Sequence, residues 1–244
     1  MLSSLDDCVI DPLAEPVTNS TTTSSLGATS RPKRVSPAPR LVNRSLMIFD
    51  WDDTILPTSY LAKLGYKLDS PNPNPAVQQV LDEYSLLVNK TLSEASRRGH
   101  VMIVTNAETG WIQLTVEKFL PKSVATVGRF EHISARSMFE PTGILTPIAW
   151  KESAFKMVVQ EYLRATPAGN NRKCQVVSLG DSGHEREAIL KVCQEYRNEV
   201  ICKSLKFMER PDLDSLRKQH VLIQECLGEI LTHKDHLDLC IQPS

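Results

Sequence analysis

The sequence predicts an α/β protein, a Rossmann-like three-layer sandwich built on a central parallel sheet. Three short runs, at residues 46–50, 101–105 and 176–180, have the nearly continuous apolar character of buried parallel strands. Between them lie longer stretches with the apolar periodicity of amphipathic helices. Strands and helices that alternate at this spacing favour right-handed βαβ units and a sheet covered on both faces.

The clearest predicted helix begins after Asn74, an N-cap residue followed by Pro75, and ends at Gly99. Its apolar residues recur with helical spacing between these two signals. Four further helices are predicted over residues 109–119, 151–163, 184–196 and 212–231. Two weaker strands, over residues 132–137 and 200–207, complete the predicted sheet.

The chain divides into three parts by composition. Residues 1–43 contain no aromatic residue, and nine of the thirteen positions from Thr18 to Ser30 are Ser or Thr. Such a segment buries too little apolar surface to offset its chain entropy, so we expect a disordered Ser/Thr/Pro-rich arm. Residues 44–232 form one predicted α/β domain, and residues 233–244 a polar tail.

Charge and hydropathy exclude several classes of protein. Lys and Arg number 28 and Asp and Glu 29, a formal net charge of −1 that gives no reason to expect nucleic acid or a membrane surface as partner. No apolar run approaches the roughly 18 residues of a membrane span. The N-terminal residues do not show the charged start and following apolar stretch of a secretory signal, so we do not expect one. We therefore expect a cytoplasmic protein, with the nucleus as the alternative, whose six cysteines are reduced thiols.

Polar side chains follow each of the three clear strands. Asp50 and Asp52 come after the first, Thr105 after the second, and Asp181 and Glu185 after the third. Because the carboxyl ends of parallel strands meet at one edge of a sheet, we expect these side chains to converge there. The sequence therefore predicts a functional site at this edge.

The residue types at this edge make chemical sense together. Two nearby carboxylates, Asp50 and Asp52, can divide the work of a nucleophile and a general acid. With Asp181 they form an oxygen-rich, negative pocket that suits Mg²⁺. Lys151, at the start of a predicted helix, and the hydroxyl of Thr105 can then hold phosphate oxygens.

These residues resemble the four motifs of the haloacid dehalogenase superfamily of phosphohydrolases. The motifs appear in order as DxDxT over residues 50–54, an apolar strand ending at Thr105, a lysine at Lys151, and GDxxx(D/E) over residues 180–185. The segments DWDDT, VTNA, the WK of Trp150 and Lys151, and KFxERP are similar to a subgroup of that superfamily from unicellular eukaryotes. The resemblance covers residues 44–232.

The resemblance implies a role for each residue. Asp50 would form an aspartyl-phosphate, and Asp52 would protonate the leaving group and later activate the water that hydrolyses the intermediate. Mg²⁺ would be held by the Asp50 carboxylate, the Asp52 backbone carbonyl and Asp181, with Glu185 ligating directly or in support. Thr54, Thr105, Asn106 and Lys151 would bind the substrate. Glu185 departs from the commoner aspartate, which leaves its ligation open. An aspartate at residue 52 favours a phosphatase over the ATPases and dehalogenases of the superfamily.

The room for a cap over the site is small. About twenty residues, Ile55–Asn74, precede the first long helix, and only Met138–Pro147 are spare between Thr105 and Lys151. This predicts a minimal, C0-type cap and an open site, which admits a bulky substrate such as a phosphoprotein. The apolar flap residues are Tyr60, Leu61, Leu64 and Tyr66, most of which we expect to pack onto the domain.

Two other functions stay open at this point. The first is a non-catalytic binding or regulatory protein that keeps the phosphate-site fold. The second is a small-molecule phosphate-ester hydrolase or phosphotransferase, which a lid supplied by a partner chain would favour. The sequence predicts neither the oligomeric state nor the physiological substrate.

Overall fold

The computed structural model describes residues 9–10, 45–166 and 173–242, which form a seven-stranded sheet with helices on both faces. The strands are β1 (Val9–Ile10), β2 (Ser45–Phe49), β3 (His100–Thr105), β4 (Glu131–Ser134), β5 (Cys174–Gly180), β6 (Val200–Lys206) and β7 (Leu237–Cys240). Their order across the sheet is β1-β7-β6-β5-β2-β3-β4. Strands β2 to β7 are parallel, and β1 pairs antiparallel with β7. The predicted Rossmann-like class is confirmed.

The helices form the two outer layers of the sandwich. They are α1 (Thr58–Lys63), α2 (Pro75–Arg98), α3 (Trp111–Phe119), α4 (Val124–Val127), α5 (Ala135–Phe139), α6 (Pro147–Ala165), α7 (Gly183–Glu195) and α8 (Leu213–Thr232), with short 3₁₀ turns at Pro121–Ser123 and Glu140–Thr142. Helices α1 to α4 and α8 cover one face of the sheet, and α5 to α7 cover the other.

The alternation of side chains along β2 explains why the core has two halves. Met47 and Phe49 pack into the cluster under α2 and α8, whereas Leu46 and Ile48 pack into the cluster under α6 and α7. Since successive strand residues point to opposite faces, a strand buried on both sides must be apolar throughout. This is why the three nearly continuous apolar runs of the sequence correspond to the central strands β2, β3 and β5.

The predicted boundaries of the long helix α2 are confirmed. The side chain of Asn74 accepts a hydrogen bond from the N–H of Val77 at 3.0 Å, as an N-cap residue does. Gly99 ends the helix with an extended backbone, not a left-handed one. A Cβ on Gly99 would lie 2.3 Å from the carbonyl oxygen of Ser45, so glycine allows α2 to pass directly into the sheet.

Two predicted segments differ from the structure. The weak strand predicted over residues 132–137 is shorter, because the Ser134 side chain caps a helix by accepting from the N–H of Ser137. The predicted polar tail, residues 233–244, contains β7, so the sheet continues beyond the predicted domain end at residue 232. Leu239 and Ile241 are buried there.

The predicted disordered arm, residues 1–43, falls outside the described residues except for Val9 and Ile10. These two residues form β1 on the edge of the sheet. The five cysteines in the described ranges are all thiols, and four of them are buried, as predicted. None of the helices in these ranges combines the length and apolar character that a membrane span requires.

The segment Ile55–Asn74 contributes one six-residue helix, α1, to the region beside the ends of β2 and β3. Leu61 is buried, Tyr60 and Tyr66 are partly buried against the core, and Leu64 is exposed. Most of the flap residues therefore pack onto the domain, as expected.

Candidate active site

The strand order reverses at β2. The chain adds β3 and β4 on one side of β2, and then β5, β6 and β7 on the other. Phe49 pairs with Leu179, and the N–H of Asp50 donates to the carbonyl oxygen of Leu179 at 2.8 Å. Asp50 therefore leaves β2 beside Gly180, and Asp181 follows on the neighbouring strand. Parallel α/β sheets place their binding sites at such a switch point.

The ammonium of Lys151 joins three parts of this edge. Lys151 lies in the second turn of α6 and has a fully buried side chain. Its Nζ lies 2.5 Å from Asp50 Oδ1, 2.5 Å from the Val104 carbonyl oxygen and 3.1 Å from Glu185 Oε1. Three partners match the three donors of an ammonium, so the end of β3 and both carboxylates are fixed to one cation.

The charges in this cluster shift one another's pKa. Burial alone would lower the pKa of Lys151, but the neighbouring charges of Asp50 and Glu185 raise it above its ordinary value. Burial raises the pKa of Asp50 well above its usual range, and the charge of Lys151 only partly opposes this. Lys151 is therefore charged at neutral pH, and one ammonium does not balance the two carboxylates that it contacts.

Glu185 has both carboxylate oxygens engaged. Oε1 lies against Lys151, while Oε2 accepts from the backbone N–H of Ser182 at 3.1 Å and from the Ser182 hydroxyl. Ser182 in turn accepts from the N–H of His184, which completes a capping box at the start of α7. The geometry favours the supporting role for Glu185 over direct ligation of a metal.

Gly180 lets α7 start this close to the sheet. A Cβ at this position would lie 2.5 Å from Glu185 Cγ and 2.8 Å from its Cβ. Because those two atoms are close to the backbone of α7, a side chain at Gly180 would displace Glu185 from Lys151.

The Asp181 carboxyl is largely buried and has other carboxylates near it. Burial raises the pKa of Asp181 to about 7, and the charges of Glu185 and Asp53 add to the shift. The Nζ of Lys206 donates to the backbone carbonyl of Asp181 at 3.1 Å, which holds the turn after β5. A positive charge beside the Asp181 carboxyl would therefore be strongly favoured.

Asp52 is held by hydrogen-bond donors from three elements. The hydroxyl of Thr58 donates to Oδ1 at 2.6 Å, and the hydroxyl of Thr105 lies 3.4 Å from Oδ2. The indole Nε1 of Trp111 donates to both oxygens, at 3.0 and 3.2 Å. Burial raises the pKa of Asp52, whereas the bonds from Thr58 and Trp111 oppose the rise.

The loop after Asp52 is held in place by its neighbour, Asp53. Asp53 has a left-handed backbone, with φ of 52°, and its carboxylate accepts from the N–H and hydroxyl of Ser59 at 2.7 and 2.5 Å. Trp51 points the other way, into the core, where its indole donates to Thr115 at 3.0 Å. Asp50 and Asp52 can thus face the site while the residue between them anchors the turn.

Two predicted substrate-binding residues lie at the end of β3. The hydroxyl of Thr105 accepts from the N–H of Ala107 at 3.0 Å and lies next to Asp52. The amide of Asn106 donates to the carbonyl of Pro147 at 3.1 Å, while its Oδ1 is buried without a hydrogen-bond partner among the described residues. Asn106 therefore ties β3 to the first turn of α6, the helix that carries Lys151.

The structure does not support a direct substrate contact for Thr54. Its side chain is fully buried, and its hydroxyl has no hydrogen-bond partner in the described part of the chain. The Thr54 side chain is buried beneath the loop that carries Asp52, and its backbone carbonyl accepts from His220 at 2.9 Å.

The site residues fit a magnesium ion held by few side chains. Within the described residues, no group of three or more His, Cys, Asp or Glu side chains is arranged to hold a metal. Mg²⁺ commonly uses one or two carboxylates and keeps several waters. Asp50, Asp181 and the Asp52 carbonyl are oxygen donors of this kind. The pKa of Asp181 is raised by burial and, to a smaller extent, by the charges of Glu185 and Asp53, and a bound cation would favour its ionised form. Glu185 of the predicted set is directed at Lys151 instead.

Sequence reasoning missed several residues that shape this site. Trp111 and Thr58 hold Asp52, and Ser182 holds Glu185. Only Ser182 carries a local signal, since Ser followed three residues later by Glu is a capping-box pattern. Trp111 is 59 residues from Asp52, and no sequence pattern connects the two.

No protein-family model matches the sequence, and neither the curated proteins nor the solved structures compared with it include a match. Membership of the haloacid dehalogenase superfamily therefore stays a prediction from the four motifs. The geometry of the site stands independently of it.

Proposed function

We propose that the protein is a Mg²⁺-dependent phosphatase that works through an aspartyl-phosphate on Asp50. The observation that carries this proposal is the contact of the buried Lys151 ammonium with both Asp50 and Glu185 at the end of β2. A buried lysine fixed on a carboxylate, with a second carboxyl two residues further on, is suited to nucleophilic attack on a phosphate ester.

The reaction follows from the residue roles. An oxygen of Asp50 attacks phosphorus, the bond from phosphorus to the leaving oxygen breaks, and the Asp52 carboxyl gives that oxygen its proton. Water then attacks the aspartyl-phosphate, the Asp52 carboxylate takes the proton of the water, and phosphate leaves as Asp50 is restored. Burial raises the pKa of Asp52, which favours the protonated form that the first step needs.

Other groups at the site would bind the transferred phosphate and stabilise its charge. The Thr105 hydroxyl lies beside Asp52 and would bind a phosphate oxygen. The Lys151 ammonium lies beside Asp50 and would bind another by exchanging one of its three present partners for the phosphate. Mg²⁺, held by Asp50, Asp181 and the Asp52 carbonyl, would offset the repulsion between the carboxylates and the incoming phosphate. Asn106 and Glu185 act on the position of Lys151.

We infer a bulky phosphorylated substrate, such as a phosphoprotein in the cytoplasm. The support is the small size of the flap, since Ile55–Asn74 provides one short helix and no separate domain over the site. A C0-type cap of this kind leaves the approach to Asp50 open to a large molecule. A small phosphate ester is the alternative if a partner chain supplies a lid.

The test is hydrolysis of p-nitrophenyl phosphate with Mg²⁺ and with EDTA. We expect Mg²⁺-dependent turnover in the parent protein and a loss of at least about 10³-fold in Asp50→Asn. Asp214→Asn, on an exposed part of α8, is the matched control and should keep the parent rate. Equal background rates in all of these conditions would contradict the phosphatase and support the non-catalytic binding protein.

A further inference from the structure

A hydrogen-bonded cluster lies directly beneath the loop that carries Asp52. Its members are Tyr84 from α2 and His220 from α8, both fully buried. The Tyr84 hydroxyl donates to the Ile55 carbonyl at 2.9 Å, and His220 Nε2 lies 2.9 Å from the Thr54 carbonyl. Two successive carbonyls of the loop are therefore held from below by two different helices.

The partners of His220 determine its tautomer. A carbonyl oxygen only accepts, so Nε2 must carry the proton that it donates to Thr54. Nε2 also lies 3.0 Å from the Tyr84 oxygen. Nδ1 lies 3.1 Å from the Thr91 hydroxyl, whose single proton can be donated to Nδ1 or to the Leu87 carbonyl at 3.1 Å. Burial among these neutral partners lowers the pKa of His220 to about 4, so the ring is neutral at physiological pH.

The ring is also fixed by its packing. Tyr84 and Phe207 contact the His220 ring edge-on, with ring centroids 5.6 and 6.0 Å away. Phe207 directly follows β6, and Tyr84 lies in the middle of α2. The position of the Thr54–Ile55 peptide is thus set by α2, α8 and the sheet together.

This peptide is close to the proposed chemistry. Thr54 lies two residues after Asp52 and one after Asp53, whose backbone is left-handed. A rotation of the Thr54–Ile55 peptide would move the Asp52 carbonyl and carboxyl, because the intervening turn is short and tightly bonded to Trp51. A displacement of about 1 Å in a reacting group can cost on the order of 100-fold in rate.

We propose that Tyr84 and His220 are positioning residues that hold the Thr54 and Ile55 carbonyls and so align Asp52 for proton transfer. This inference rests on the proposed phosphatase function. A purely structural cluster would satisfy the same buried carbonyls but would affect stability alone, and the two roles make different predictions.

The variants are Tyr84→Phe and His220→Leu, which each remove one donor to the loop. His220→Gln is the conservative variant, because a glutamine amide can again donate to Thr54. The matched control is Gln219→Leu, also on α8 and fully buried, whose amide donates at 2.7 Å to the Ile241 carbonyl, far along the chain from the loop.

Two readouts are measured. The first is kcat and KM for p-nitrophenyl phosphate with Mg²⁺. The second is the NMR resonance of the Trp111 indole N–H, which donates to Asp52 and is assigned among the three tryptophans through Trp111→Phe. The indole resonance reports the position of Asp52 whether or not the protein turns over substrate.

We expect Tyr84→Phe and His220→Leu to lower kcat about 10- to 100-fold with little change in KM. We expect both to shift the Trp111 resonance, and His220→Gln to restore much of both properties. Gln219→Leu should lower Tm yet keep the parent kcat and resonance.

If the parent shows no Mg²⁺-dependent hydrolysis, the phosphatase proposal fails, and the Trp111 shift alone decides the positioning role. The positioning role would be overturned if Tyr84→Phe and His220→Leu lowered Tm but kept the kcat and the Trp111 resonance of the parent protein.

Discussion

The indole Nε1 of Trp111 donates to both carboxylate oxygens of Asp52, at 3.0 and 3.2 Å. Trp111 is the first residue of α3, so this bond joins the helix to the end of β2. A donor aimed at a carboxylate stabilises its ionised form, whereas burial of Asp52 favours the neutral form. The balance of the two effects sets the pH range in which Asp52 can give up a proton.

Replacing Trp111 by Phe removes this donor and should raise the pKa of Asp52 further. A hydrogen bond to a charged group corresponds to about one pKa unit or more, so we expect the basic limb of the kcat profile to move up by about one pH unit. The measurement is kcat for p-nitrophenyl phosphate across pH. Trp150→Phe, whose indole donates to the Ile144 carbonyl, is the control and should leave the limb in place. An unmoved limb in Trp111→Phe would exclude this role.

Asp181 and Glu185 should differ in their effect on Mg²⁺ binding. Asp181 is a proposed ligand, whereas Glu185 is engaged by Lys151 and Ser182. We expect Asp181→Asn to weaken Mg²⁺ binding by at least about tenfold, and Glu185→Gln to weaken it less while lowering kcat through Lys151. Titration calorimetry with Mg²⁺ measures the first effect and steady-state kinetics the second. A larger loss of Mg²⁺ affinity in Glu185→Gln would show that Glu185 is the ligand.

A methyl group at Gly180 should disturb both stability and activity. The added Cβ would meet Glu185 at 2.5 Å, so we expect Gly180→Ala to lower the free energy of unfolding by roughly 1–3 kcal/mol. It should also lower kcat, because Glu185 would move away from Lys151.

Gly228→Ala is the matched control, since Gly228 lies inside α8 with nothing within 4 Å of an added Cβ. We expect it to raise the free energy of unfolding by about 0.5–1 kcal/mol and to keep the parent kcat. Urea unfolding measures the free energy of unfolding of both variants. Equal responses would mean that the close approach of Glu185 to Gly180 carries no energetic consequence.

The strand ends could be predicted because their signals are local. A run such as Leu46–Phe49 is apolar throughout since both faces of β2 are buried, and the sheet edge then follows from strand direction alone. Strand direction predicts Asp50 and Asp181 at one edge of the sheet, whereas Lys151 was added from its residue type and the motif resemblance. The structure brings Asp50 and Lys151 into contact.

The role of His220 and the place of strand β7 could not be predicted, because both depend on contacts between residues far apart in the sequence. His220 lies 166 residues from Thr54, and its neighbours in α8 give no sign that it faces a loop. Strand β7 was missed because it is only four residues long, Leu237–Cys240, and lies in a polar stretch of the sequence. Its place in the sheet is fixed by partners elsewhere, such as Arg186, which pairs with Asp238 at 2.6 Å.

The neutral, buried His220 should make the protein less stable in acid. In the unfolded chain a histidine binds its proton near pH 6.5, whereas burial lowers the pKa of His220 in the folded protein to about 4. Between these values the unfolded state binds more protons, so stability falls as pH falls. The full contribution is present above about pH 6.5, and roughly 3 kcal/mol is lost by about pH 4.

Urea unfolding of the parent protein and of His220→Gln from pH 7 to pH 4 tests this. Glutamine does not titrate, so the difference in unfolding free energy between the two proteins should shrink or reverse as pH falls. Tyr84 is the titratable neighbour that faces His220, and it stays neutral over this range because burial raises its pKa well above its ordinary value. A difference that is constant with pH would mean that His220 takes up its proton in the folded protein as readily as in the unfolded chain.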